Sequence, residues 1–387
     1  MKTLCICITL LCAQFAQAQT ISGEHKRKAE IAIGKNIEYL SSRQHMGTLG
    51  WDDDPEAPAM PAITGLILQG LMLDPGIDEN HPLVIQATRY ILKFVNDDGS
   101  IHDGVLPGYN TAICVSALAS LKDQRALKAS LDGLRYLKSL QYHKGNTANP
   151  FNPGFEEAIG IDHPYFGAVG FGEPTPPSLK SLSVFLQTLH DSGVSTNDPA
   201  FQRAQVYLSR VQMLDRVNEM PFADGSTQGG FIDAIASDVQ SLAHPDGQSE
   251  AGEITEIAPD GSEITRPRAS GSMTYAGFKS LIYANIDPDD PRMVGAWEWI
   301  KANYTLEENP GLETQGYYHY LFTMSQALDA WGVDEINGHN WREEMIDKVV
   351  ELQYTSGSYK VINPRWEENN DMLITVYALI ALQHATH

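Results

Sequence analysis

The chain has 387 residues, with 27 lysines and arginines against 49 aspartates and glutamates, a formal net charge of −22. That acidic balance repels phosphate backbones, so no nucleic acid is expected as a partner. Hydrophobic residues at 42% and charged residues at 20% describe a folded chain rather than a disordered one.

At the N-terminus, Lys2, an apolar run from Leu4 to Cys12 and Ala16-Gln17-Ala18 form the charged, apolar and cleavage parts of a secretory signal peptide over residues 1–18. The mature product is then exported, periplasmic or extracellular, and begins at Gln19. Leu11 is too large to precede a lipidated Cys12. No later apolar run reaches the ~20 residues of a membrane-spanning helix. Cleavage removes Cys5, Cys7 and Cys12, so Cys114 alone remains of 4 cysteines and no internal disulfide or cysteine-rich zinc site is expected.

Residues 19–387 read as one repetitive domain. Half-exposed amphipathic helices are predicted over His25–Gln44, Pro82–Asn96, Gln124–Gln141, Pro199–Gln212, Pro291–Tyr304 and Trp341–Gln353. Their starts carry capping signals: Asp198-Pro199 and Asp290-Pro291 place an acceptor before a first-turn proline, and Asn340 with Glu343 has capping-box spacing. Each is followed by a Gly-rich turn and a helix apolar on nearly every face. These second helices are Pro61–Leu73, Tyr109–Leu121, Ser178–Leu189, Ser272–Ala284, Tyr317–Trp331 and Met372–His384. A helix apolar all round is buried all round. The expectation is an all-α, (α/α)6 toroid of six outer and six parallel inner helices around a central cavity. Insertions at about 142–177 and 214–271 precede inner helices and should wall the cavity mouth, since long loops in compact domains are usually functional.

The turns "VNDDGSI", "PFADGSTQGGF" and "QYTSGSYKV" resemble the Q-x-x-D-G-S/G-x-W repeats of squalene–hopene cyclases and protein prenyltransferases. Together with "GSMTYAGFKSLIYANIDPDDPR", "NYTLEENPG" and "RWEENNDMLITVYALIAL", they make the chain similar to a secreted bacterial branch of that superfamily over nearly all its mature length. The resemblance implies the toroid. The same fold hosts cyclases, transferases and glycan-active enzymes, so it does not fix the reaction.

The superfamily's catalytic motifs are broken or displaced. Asp287-Pro288-Asp289-Asp290 matches the D-x-D-D acid motif, but it precedes an outer helix, where Asp290 reads as an N-cap. "GYYHYLFTMSQAL" resembles the helix carrying the prenyltransferase zinc histidine, which maps to His319. The D-x-C partner reads Ser270-Gly271-Ser272-Met273, so no zinc is expected. Asp52, Asp53 and Asp54 stand before an inner helix, where carboxylates can hold a weakly bound divalent cation. No other cofactor is implied: the P-loop, the dinucleotide fingerprint, G-x-S-x-G and H-E-x-x-H are absent. His102-Asp103 reads as a surface turn.

Aromatic residues cluster at the inner-helix entries: Trp51, Tyr109, Tyr275, Tyr317, Tyr318, Tyr320 and Trp366. Such rings stabilise carbocations, stack on sugars or line an apolar pocket. The candidate site is therefore Asp53 and His319 as catalytic groups, with Trp51, Tyr109, Asn110, Arg268, Tyr275, Tyr317, Tyr320 and Trp366 around the ligand. Tyr317 and His319 stand about 200° apart round one helix, so only one can face inward; Tyr317 is expected to be that one. The expected partner is a small hydrophobic or isoprenoid-like molecule. A glycan-active or glycan-binding toroid and a non-enzymatic scaffold are the alternatives, separated by whether the centre is a deep apolar hole, an open acidic cleft with a carboxylate pair, or filled.

Overall fold

The structure is a computed structural model that describes residues 21–51, 57–144, 159–172, 176–236, 244–257 and 260–387. Twelve α-helices lie among them: α1 (Gly23–Arg43), α2 (Pro61–Met72), α3 (Pro82–Ile91), α4 (Pro107–Ala119), α5 (Gln124–Ser139), α6 (Leu179–Asp191), α7 (Pro199–Arg210), α8 (Gly271–Tyr283), α9 (Pro291–Asn303), α10 (Tyr317–Trp331), α11 (Trp341–Leu352) and α12 (Asp371–Thr386). Two antiparallel hairpins accompany them. Strand β1 (Glu253–Ile257) pairs with β2 (Glu263–Pro267), Thr255 opposite Thr265, and β3 (Glu335–Ile336) pairs with β4 (His339–Asn340). The predicted signal peptide, Gln19 and the Asp52–Asp54 run lie outside the described residues.

The helices begin where acceptors stand. Asp198 accepts from the Ala200 N–H, Asp290 from Arg292 and Asn340 from Glu343, each satisfying a donor that the first turn leaves open. The Asn340–Glu343 box closes on one side only, because the Glu343 carboxylate accepts from the Ser22 N–H at 2.7 Å. The reciprocal box belongs instead to Ser178 and Ser181, at the start of α6. The D-x-D-D match is such a cap: Asp290 also pairs with the Arg292 guanidinium at 2.7 Å, and Asp287 accepts from the Asp289 N–H.

The even-numbered helices are the buried ones. α4 packs on α2 and α6, α8 packs on α6 and α10, and α12 packs on both α10 and α2, so their contacts form a closed circuit. Small residues let them approach: a Cβ on Gly70 of α2 would stand 2.9 Å from Leu379 of α12. Buried polar groups bond across the seams, Thr188 Oγ1 to the Ala112 carbonyl at 3.0 Å and Gln383 Nε2 to the Gly70 carbonyl at 2.7 Å. The odd-numbered helices lie outside, α3 on α2, α5 on α4, α9 on α8, and α1 and α11 on α12.

One turn recurs between outer and inner helices. Bridges Val95–Ile101, Gln141–Val169, Gln212–Phe231 and Gln353–Tyr359 each enclose a glycine of positive φ two residues before the second partner: Gly99, Gly167, Gly229 and Gly357. Each glycine lies against a carbonyl of another outer helix, respectively Asp132, Arg203, Gly295 and Lys35. In three of the turns a glutamine fastens the same pair of elements. Gln141 Nε2 donates to Gly167 and Ala200, Gln212 Nε2 to Gly229 and Arg292, and Gln353 Nε2 to Ala32. In "PFADGSTQGGF" the repeat glycine is therefore Gly229 rather than Gly225 of the DGS triplet. Gly225 belongs to a separate turn, in which its N–H donates to Asp215. Gln212→Ala removes the one donor that joins the Gly229 and Arg292 carbonyls and is expected to cost about 1–3 kcal/mol, read as a fall in urea midpoint at unchanged slope.

Candidate functional site

Two adjoining cavities lie between the inner helices, with volumes of about 150 and 190 Å³. Lys180, Met273 and His319 line both, so the two chambers share a wall. The outer chamber sits at the first turns of α6, α8 and α10 and includes Asp233, Asn309 and Trp366. The inner chamber runs along the same helices. Its walls are Tyr109, Ile113, Phe171, Met273 and Phe322, and its far end carries Gln69, Ser116, Gln187, Lys279 and Gln326. Each of these five stands eight or nine residues past the start of α2, α4, α6, α8 or α10. At 1.5 Å per residue they form a polar layer about 12–14 Å beyond the helix starts.

At the mouth, residues 365–368 make a strained turn. Trp366 and Glu367 adopt φ of 56° and 62°, a conformation rarely taken by side-chain-bearing residues. The Trp366 ring covers Gly316, where a Cβ would stand 2.8 Å from it. Lys180 Nζ lies 4.9 Å from one ring centroid of Trp366 and Arg365 Cζ 4.5 Å from a centroid of the same side chain. Lys180 also pairs with Asp233 at 3.3 Å, and Arg365 with Glu250 at 2.7 Å. The segment before α8 and the segment before α12 are thereby tied together at the mouth.

Glu368 completes this turn. Its carboxylate accepts from the His319 N–H at 2.9 Å, at the N-terminus of α10. It is 1% exposed, and burial raises its pKa from 4.5 to about 7 against the opposing pull of the backbone N–H groups of His319, Tyr318 and Tyr317. The imidazole of His319 is half-buried in the cavity wall, edge-on to Tyr377 at 5.7 Å, and desolvation there, with Lys180 and Lys279 nearby, lowers its pKa to about 4. At neutral pH it is an uncharged donor and acceptor.

Of the residues expected at the site, His319 lines both chambers, Tyr109 the inner and Trp366 the outer. Tyr317 does not face inward: its hydroxyl donates to the Leu306 carbonyl, so the expected orientation of the Tyr317/His319 pair is reversed. Tyr320 donates to the Thr305 carbonyl at 2.8 Å and meets Tyr275 edge-on at 5.7 Å, both behind the cavity wall. Tyr318 likewise donates to the Lys360 carbonyl at 2.6 Å. Trp51 is wholly buried, with Nε1 donating to the Leu40 carbonyl. Asn110 is structural, accepting from the Ala62 N–H and donating to the Val105 carbonyl. Arg268 is exposed and lines neither chamber. Asp53 lies outside the described residues, as do Asp52 and Asp54. His102 and Asp103 accept from the backbone of Gly104 and Ala59 in an exposed turn.

Sequence reasoning alone does not single out Lys279, Gln187, Gln326 and Gln69. Their signal is nevertheless present: each is a long polar residue inside an otherwise apolar, buried helix, as in "SMTYAGFKSLIYA". Among the described residues, Asp329, His384 and His387 have ligand atoms within 4.8 Å of one another. This group lies at the ends of α10 and α12, away from the chambers. Arg342 donates to Asp329 at 2.9 Å there, placing a fixed positive charge where a metal would sit.

The structure resembles known toroids. It matches the GH76A α-1,6-mannanase from Salegentibacter sp. HEL1_6 with a TM-score of 0.55 and 10% identity, covering 93% of this chain and 98% of that one. It matches a variant of the type II terpene cyclase MstE from Scytonema, in complex with its product merosterolic acid A, with a TM-score of 0.52 and 13% identity over 94% and 98%. A family 76 glycoside hydrolase from a bovine Bacteroides thetaiotaomicron strain gives 0.53 and 11% over 92% and 77%. No protein-family model and no curated protein matches the chain. These likenesses establish a mostly helical fold of the α/α-toroid type, shared by terpene cyclases and family 76 mannanases. At such identities they carry the fold and not the activity.

Proposed function

We propose that the chain is a single-domain (α/α)6 toroid that holds a small, largely apolar ligand in its central space. The observation that carries this reading is the inner chamber: Tyr109, Ile113, Phe171, Met273 and Phe322 enclose it between buried helices. A filled centre would favour a scaffold, and an open cleft with paired carboxylates a glycosidase. Asp233 is the one carboxylate lining the two chambers among the described residues, and it is engaged by Lys180. A D-x-D-D cyclase acid is not supported either, since that motif caps an outer helix and the cavity presents lysines, which disfavour a carbocation. The proposed occupant is an isoprenoid-like or other hydrophobic molecule.

Export fits the leader-like residues 1–18 and the net charge of −22, which also disfavours nucleic acid. Among the described residues no helix is long and apolar enough to cross a membrane.

The test is mass spectrometry of organic extracts from the purified mature protein, with Val184→Phe as the comparison. Val184 lines the inner chamber, and the larger ring takes up its space. Wild type is expected to release one small apolar compound and the variant about tenfold less, at a stability cost of about 1–3 kcal/mol for overpacking. Recovery of oligosaccharide alone, or equal recovery from both proteins, removes the reading.

A further inference from the structure

We propose that the occupant of the inner chamber bears a single carboxylate, received by Lys279 and Gln326. This rests on the reading of the cavity as an apolar-ligand site and specifies the polar end of that ligand.

Lys279 extends from the middle of α8 and is 5% exposed. Its Nζ donates to Gln326 Oε1 at 2.6 Å, and among the described residues no carboxylate forms an ion pair with it. An ammonium has three donors and no acceptor. One is used on Gln326, leaving two toward a chamber whose end also carries Gln69, Ser116 and Gln187, with the Phe322 ring centroid 5.9 Å from Nζ. A buried charge left in that state is costly unless something pairs with it. The nearest candidate from α6, Asp191, acts on Lys279 only at longer range. Its two oxygens already accept from Gln187 Nε2 at 3.0 and 3.1 Å.

The receptor has a second donor. Because Lys279 can only donate, the oxygen of Gln326 must be the atom that faces it, which fixes the orientation of that amide. The Nε2 of Gln326 is therefore turned away from Lys279, and among the described residues no acceptor takes it. An ammonium and an amide N–H held by one hydrogen bond match the two oxygens of a carboxylate.

Charge counting selects one negative charge. Lys180, the other lysine on the cavity, is spent on Asp233 and the Trp366 ring. His319 is uncharged at neutral pH because desolvation in the cavity wall lowers its pKa. Among the described residues Lys279 is thus the one uncompensated cation of the space, and a monoanion neutralises it where a phosphate dianion would leave a buried negative charge. The apolar walls above this end require the rest of the ligand to be hydrocarbon-like.

The experiment uses the full mature chain, stripped of ligand by organic extraction, and isothermal titration with octanoate, decanoate, dodecanoate, the matching alcohols and dodecyl phosphate. At least one alkanoate is expected to bind about tenfold or more tighter than its alcohol, the size of a hydrogen bond to a charged group. The phosphate ester should bind more weakly than the carboxylate. Lys279→Met should abolish the preference for the acid while retaining the alcohol, which shows that the variant's cavity is intact. If acid and alcohol bind alike, or Lys279→Met keeps the preference, the carboxylate assignment is overturned and the apolar cavity stands. If the preference for the acid is abolished by acetate or chloride at millimolar levels, the site is a generic anion hole and the assignment also fails. If no acid and no alcohol binds, the apolar-ligand reading falls with it.

Discussion

Gly167→Ala is expected to be among the most destabilising single substitutions in this chain, about 4 kcal/mol or more. Two effects add. Gly167 has φ +84°, and a side chain in the left-handed region costs about 1–2 kcal/mol. The new Cβ would also collide with the main-chain carbonyl of Arg203 in α7, which is backbone and cannot swing aside. The same turn carries the hydrogen bond from Gln141 Nε2 to the Gly167 carbonyl, so moving the loop away breaks the fastening of α5 to α7. Gly193→Ala separates the two effects. Gly193 has φ +65° with nothing within 4 Å of its Cβ position, so only the conformational cost applies. Urea unfolding of both variants reads the difference directly; equal losses would show that the close approach to Arg203 carries no energy.

The outer helices are legible in the sequence because capping acceptors and prolines are local signals. Asp198-Pro199 and Asp290-Pro291 mark the starts of α7 and α9 to the residue. The faces of the inner helices are not legible in this way. In α10 the buried positions fall on all sides of the helix, Tyr317, Tyr318 and Tyr320 among them, so the pattern gives no stripe to orient it, and the expected sense of Tyr317 and His319 is the reverse of the observed one. What decides the orientation is a long-range partner, the Leu306 carbonyl that takes the Tyr317 hydroxyl. The inverse signal is the informative one: in an all-apolar helix the exceptional polar residue marks the lumen, as Lys279 and Gln326 do. Glu368 carries no signal at all, since its role depends on the N-terminus of α10, 49 residues away in the chain. The sequence marks its neighbour Trp366 only as an aromatic at an inner-helix entry, and the backbone of the folded turn alone reveals the strain at Trp366 and Glu367.

Glu368→Gln is expected to flatten the pH dependence of stability between about pH 4.5 and 7 and to stabilise the protein above it. In the unfolded chain this carboxyl titrates near 4.5, in the folded chain near 7. Between those values the unfolded state has released the proton while the folded state still holds it, so raising the pH favours unfolding. Above pH 7 both states are ionised, and the penalty stays constant at on the order of 3 kcal/mol, since each tenfold change in an acid's ionisation constant is worth about 1.4 kcal/mol. Glutamine keeps an oxygen to accept the His319 N–H and never ionises. The two proteins should therefore melt alike at pH 4.5, and the variant should melt several degrees higher at pH 8. Comparing the pair cancels the other carboxylates, which titrate in both. Helix N-termini favour anions, and if that attraction outweighed burial the variant would melt lower than wild type at pH 8. That result would place the Glu368 carboxylate among the stabilising charges of the α10 N-terminus, rather than leave it a buried acid whose ionisation costs the fold stability.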